Sequence, residues 1–156
     1  MGTKSTVAIA LLFGAIATSA LARTAGAAPA VGTSNAAAQV IKVVYHINTG
    51  IDTAAAALNN INNHLKAAPN TRIVVVTHGP GIDFLLNDAK DSKGRVFSGT
   101  VSDLASRGVE FRVCNNTLTD RKIDPGQLVM EASIVPSGVA EVARLQAQEG
   151  YVYIKP

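Results

Sequence analysis

VIKVVYHI, residues 40–47, is an almost unbroken run of branched and aromatic apolar residues holding a single lysine. A strand with one wet face alternates apolar and polar residues, whereas a strand covered on both faces reads as a continuous apolar run, the mark of a parallel sheet. Working outwards, Asn48-Thr49-Gly50 breaks the run. Ala54, Leu58, Ile61 and Leu65 then recur at helical spacing, with Asn59, Asn60, Asn62 and Asn63 on the other faces, so a helix follows and Pro69-Asn70 ends it. TRIVVVT, residues 71–77, repeats the buried-strand pattern and closes on His78-Gly79-Pro80-Gly81.

The same alternation continues to the end of the chain. Residues 82–87 read as a short helical turn and DAKDSKGR, residues 88–95, as a charged surface loop. A helix is expected over residues 96–106 with Gly108 as its stop. VEFRVC (109–114) is a third strand, and NNTLTDRKIDPG (115–126) reads as loop with a helical turn. ASIVP (132–136) is a fourth strand, Ser137-Gly138 opens a helix to about Gln148 that Gly150 stops, and YVYIKP (151–156) is a fifth strand. Strands alternating with helices predict an α/β three-layer sandwich with a mostly parallel, five-stranded sheet of flavodoxin-like type, covered on both faces. Strand order stays open at this level.

The amino end predicts a compartment. Lys4 is followed by an uncharged stretch centred on VAIALLFGAIA, then by small-residue patterns at Ala20-Leu21-Ala22 and Ala25-Gly26-Ala27. That is the layout of a secretory signal peptide over residues 1–27, with a small-residue lead over 28–38 and one domain over 39–156. A membrane anchor is the rival, because spanning takes about 18–20 apolar residues, but Ala, Gly, Thr and Ser dilute this run. The expected location is the periplasm or outside the cell, with no stable membrane span after cleavage. Cleavage removes Lys4 and Arg23 and no acid, which takes away two of the chain's three net positive charges. Nothing then resembles the basic stripe of a nucleic-acid binder.

One strand breaks the buried pattern. Val109, Phe111 and Val113 point one way, and Glu110, Arg112 and Cys114 the other. A charged pair on a covered face is costly. Either that face is partly solvated or it meets another subunit, and the balance favours an oligomer.

Parallel sheets bind ligands outside the carboxyl ends of their strands. Those ends carry His46, His78, Cys114 with Asn116, and Ser137-Gly138 at a helix start. Cys114 is the sole cysteine of the chain, an odd thiol in an exported protein. A helix amino terminus and nearby cations favour thiolate, the reactive form, so Ser137, Gly138, Arg121 and Lys122 are candidates to tune it, with His78 and His46. The rival reading is a small buried hydrophobe. His46, His78 and Cys114 could alternatively hold zinc or copper, although no close ligand pair such as C-x-x-C exists. The turn at Gly79-Pro80-Gly81 lacks the third glycine of a dinucleotide loop and any Walker lysine, and the chain has no tryptophan to stack on a flavin beside the flavodoxin-like turn at Gly50, so no nucleotide or other cofactor is expected. His64, among asparagines, reads as a solvated surface residue.

GVEFRVCNNTL (108–118), IVPSGVAEVARLQAQEGYVYIKP (134–156) and the first-strand KVVYHI together resemble the DsrE/DsrF-like family over residues 41–156, closest to its small single-domain sulfur-relay members. The resemblance implies a DsrE-like five-stranded α/β fold assembling as a homotrimer or homohexamer. It implies that Cys114 matches the family cysteine that carries sulfur as a persulfide, and that Ser137 and Gly138 match the family's serine-glycine turn. The expected function is an exported sulfur carrier, sulfurtransferase-like if it turns over, with donor and acceptor proteins as partners. The alternatives are a binding module for a small anion or metal at the strand ends, and a structural oligomer with an inert thiol.

Overall fold

The structure is a computed structural model and describes residues 40–156. The expected leader and lead, residues 1–38, lie outside the described residues. Among those described, the chain runs β1 (Lys42–Ile47), α1 (Ile51–Ala67), β2 (Arg72–Thr77), a 3-10 turn (Gly79–Leu85), α2 (Ser98–Ser106), β3 (Glu110–Cys114), α3 (Asn115–Arg121), a second 3-10 turn (Pro125–Gln127), β4 (Ala132–Val135), α4 (Gly138–Glu149) and β5 (Val152–Ile154). The five strands form one sheet in the order β4-β3-β2-β1-β5, every pair parallel.

That order dictates where the helices lie. Crossovers between parallel strands are right-handed. The steps β1 to β2, β2 to β3 and β3 to β4 all move the same way across the sheet, whereas β4 to β5 returns past three strands. The return therefore puts α4 on the face opposite α1 and α2.

The α1 and α2 face holds the larger core. Val43, Tyr45, Ile47, Ile73, Val75, Phe111 and Val113 project from the strands into Leu58, Ile61 and Leu65 of α1 and Val101 and Leu104 of α2. Phe84 from the 3-10 turn meets Phe111 and Phe97 edge-on. The opposite face has a small apolar cluster: Val44, Val74, Val76, Val142, Leu145 and Tyr151. Both faces are covered, but unequally.

The charges of β3 lie on this second face. Glu110 bonds Arg72 at 3.0 Å and Arg112; Arg112 pairs with Glu141, which binds Arg144 at 2.8 Å, and Arg144 reaches Glu149 at 2.6 Å. The side chains of Arg112 and Glu141 are 17% and 10% exposed. The polar face of this strand is thus neutralised within the chain, beneath α4, and needs no second subunit to pair it.

Two local expectations change. Residues 115–121 form the seven-residue helix α3, longer than the single helical turn expected within a loop. His64 is half-buried, with Nδ1 3.0 Å from the hydroxyl of Tyr45, and is not a free surface group. The glycine turn after β2 is a tight packing device, as expected. Gly79 has φ +54°, and a Cβ at Gly81 would overlap the Ile47 backbone and sit 2.8 Å from Asn48 Cα.

Candidate thiol site at the carboxyl edge

Cys114 is the last residue of β3 and the residue before α3, only 5% exposed. Its position follows from register. Thr77 pairs with Val113, so the next residues, His78 and Cys114, leave neighbouring strands side by side. α4 begins directly above them. A Cβ built on Gly138 would lie 3.2 Å from the Cβ atoms of both Cys114 and His78 and 3.1 Å from the Thr77 carbonyl oxygen. A side chain there would crowd backbone as well as both functional residues. Ser137 caps α4, its hydroxyl accepting the Ala140 N–H at 3.5 Å.

The thiol feels two opposed influences. Burial pushes the Cys114 pKa up; the backbone N–H groups of Gly138, Thr117 and Asn116, with the Thr117 hydroxyl, outweigh it, and the net shift is downward. Polar hydrogens converging on sulfur favour the anion. Thr117 also accepts the Gly79 N–H at 2.9 Å, tying the first turn of α3 to the glycine turn. Sequence reasoning passed over Thr117. Its place three residues after a strand-end cysteine is the signal, because a helix opening at Cys114 turns that position back towards the sulfur.

The histidines do converge on this edge. His46 and His78 pack with ring centroids 4.8 Å apart and planes tilted by 37°. His46 Nδ1 lies 2.9 Å from the Tyr153 hydroxyl of β5, a partner the sequence did not point to. Burial lowers the pKa of both imidazoles, assisted by Lys155 and, for His46, by His78. Both rings are therefore biased towards the neutral form.

The two cations beyond Cys114 do not join the site. Arg121 donates to Asp83 at 2.6 Å and to the Gly79 carbonyl at 3.2 Å, clamping α3 to the 3-10 turn. Lys122 ends α3 in a left-handed conformation with φ +53° and is exposed. Asn116 contributes its backbone amide, while the residue itself is exposed. Among the described residues, no group of three or more His, Cys, Asp or Glu side chains is placed to hold a metal ion, so His46, His78 and Cys114 do not make a ligand set. No helix among those residues is long and apolar enough to cross a membrane.

Fold and site together define a small parallel α/β protein with one nearly buried thiol at the carboxyl edge of its sheet. The DsrE/DsrF-like family model matches residues 41–156, and the chain belongs to that family, which suggests a sulfur-relay type of function. The chain is similar to a protein of unknown function from Methanobacterium thermoautotrophicum, with 32% identity and a TM-score of 0.67, over 74% of this chain and 99% of that one. The ychN protein from E. coli shares the fold at 13% identity, with a TM-score of 0.63 over 75% of this chain and all of that one. No curated protein matches the chain.

Proposed function

We propose that the protein is an exported sulfur carrier in which Cys114 holds sulfane sulfur as a persulfide and passes it to an acceptor thiol. The observation that carries this reading is the place of Cys114, nearly buried where β3 runs into α3 and directly beneath Gly138 at the start of α4, so that two helix amino ends lie beside the sulfur and favour its anion. In loading, the Cys114 thiolate attacks the outer sulfur of a donor persulfide. A new S–S bond forms and the donor thiolate leaves with the electron pair of the broken bond. In discharge, an acceptor thiolate attacks the outer sulfur on Cys114, and the Cys114 thiolate is the leaving group. No external oxidant is consumed, and a low-pKa thiol leaves faster.

Near-complete burial by itself disfavours the anion, but it suits the cargo. The outer sulfur of a persulfide stands about 2 Å beyond Sγ, where an acceptor can attack it while Sγ stays covered. In an oxidising compartment, a covered sulfur is slower to climb to sulfinic acid. A trimeric or hexameric assembly is part of the proposal. The exposed apolar residues Ile41, Val152 and Tyr153 beside the β5 edge support it.

The test is the intact mass of the exported protein before and after exposure to polysulfide. The expected result is a gain of whole sulfur atoms, reversed by reductant and absent from Cys114→Ser. Uptake retained by the folded serine variant would sink the carrier reading. The same spectrum gives the mature amino terminus, and a chain still carrying residues 1–27 would remove export from the proposal.

A further inference from the structure

Three segments meet at Cys114 and none of them contains Asp, Glu, Lys or Arg: residues 78–82 after β2, 113–119 across the end of β3 and the start of α3, and 135–140 from β4 into α4. Register and close packing bring them together. Val135 pairs with Cys114, the Gly79 N–H bonds the Thr117 hydroxyl at 2.9 Å, and a Cβ on Gly138 would lie 3.2 Å from the Cβ atoms of both Cys114 and His78. Cys114 itself is 5% exposed, but the rim around it is open. Pro80, Asn115, Asn116 and Pro136 are exposed, and Val139, the residue after Gly138, is 59% exposed.

Charged groups stand back from this rim or are already engaged. Arg121, whose guanidinium also reaches the Gly79 carbonyl, is paired with Asp83 at 2.6 Å. Glu141 is buried and held by Arg112 and Arg144. Asp120 and Lys122 are at the far end of α3, about 9–12 Å of helix rise beyond Cys114. Lys155 follows β5, three strand spacings from β3, or about 14 Å across the sheet.

A sulfur covered in this way sets a condition on whatever takes its cargo. The outer sulfur of a persulfide projects about 2 Å beyond Sγ, so an acceptor sulfur reaches it only when the residues flanking the acceptor cysteine press against the rim. A charged flank would give up its hydration there and meet no opposite charge. An apolar flank is buried on Pro80, Pro136 and Val139, which are stiff and lose little freedom on contact. Asn115 and Asn116 offer amides to the backbone of an extended segment.

We propose that this uncharged rim is the docking surface of the acceptor, and that the acceptor presents its cysteine between apolar residues on an exposed segment. The proposal rests on the carrier reading of Cys114.

The test is the rate at which Cys114 of the folded protein forms a mixed disulfide with three acetylated and amidated peptides, LCL, ECE and KCK, each activated as its thiopyridyl disulfide. The Cys114 thiolate attacks the peptide sulfur, a new S–S bond forms, and the thiopyridine leaves with the electron pair and is followed by absorbance. Dividing by each peptide's rate with 2-mercaptoethanol, an uncharged thiol, removes the peptide's own reactivity. The expected normalised rate for LCL exceeds those for ECE and KCK by about tenfold. It should hold steady between about 50 and 500 mM salt. Val139→Asp, a change at an exposed position, should lower the LCL rate about fivefold and raise that of KCK. Equal normalised rates, a preference for either charged peptide, or no reaction of the folded protein with LCL would overturn the proposal. The reaction uses the bare thiol and sulfur uptake is read separately by mass, so failure of the docking surface is distinguishable from failure of the carrier reading.

Discussion

The face of the sheet beneath α1 and α2 and the face beneath α4 are made by the same five strands and are held by different forces. The first is a deep apolar layer in which strand, helix and turn residues interlock. The second has six buried apolar side chains and, beside them, a chain of alternating arginines and glutamates from Arg72 to Glu149. Hydrophobic burial stabilises without regard to pH, whereas ion pairs depend on pH and are screened by salt. Apolar burial is concentrated on one side of the sheet and paired charge on the other. Cys114, His78 and His46 all belong to the less apolar face.

The contrast can be broken most decisively from the apolar side. Phe111→Ala removes a ring 1% exposed between Phe84 and the strands and should cost about 3–5 kcal/mol, read as a lower midpoint in urea. A cost below about 1 kcal/mol would mean that this face is not the principal core. On the other face, Glu141→Gln should cost about 1–2 kcal/mol, because Arg112 loses a mostly buried partner but stays partly solvated. The pH dependence sharpens this second case. Hydrogen bonding from Arg144, and then Arg112, outweighs burial and holds the Glu141 carboxyl below the usual glutamate value. Its contribution is therefore fully present above that value and lost as pH falls through the depressed one. Thermal melts of Glu141→Gln should approach wild type in acid and diverge from it at neutral pH.

The smallest effect comes from the histidines. Their folded pKa values lie below the ordinary value of 6.5, chiefly through burial. Between that value and more acid pH, the unfolded chain binds protons that the folded chain refuses, so stability drops as pH falls through this window. Replacing both by glutamine should flatten that limb by well under about 1 kcal/mol, since both rings are partly screened by solvent. A limb of unchanged slope would show that other groups control it.

Much of this was legible in the chain because the strongest signals are local. The apolar runs ending at Ile47 and Thr77, the period of Ala54, Leu58, Ile61 and Leu65, and the glycine stops at 108 and 150 each state their own structure. Asn115-Asn116-Thr117 misled because asparagine and threonine are weak helix formers and seven residues are too few to show a period. The edge on which Cys114, His46, His78 and Gly138 meet follows from parallel strands alone. The partners that sequence missed, Tyr153 and Thr117, depend on strand order and side-chain direction, and one sequence encodes neither locally. Arg121 was drawn towards the thiol by proximity in sequence, but Asp83 at the end of a folded turn competes for it at 2.6 Å.

The return of the chain from β4 to β5 also sets a schedule. In a polypeptide made from its amino end, β1 to β4 are complete before Gly138 and Tyr153 exist. Cys114 thus leaves the ribosome without its later neighbours, and only the arrival of residues 137–156 supplies Gly138 above it and the Tyr153 hydroxyl beside His46. The surroundings of this sulfur are a property of the finished chain, and a product that stops before residue 137 lacks them.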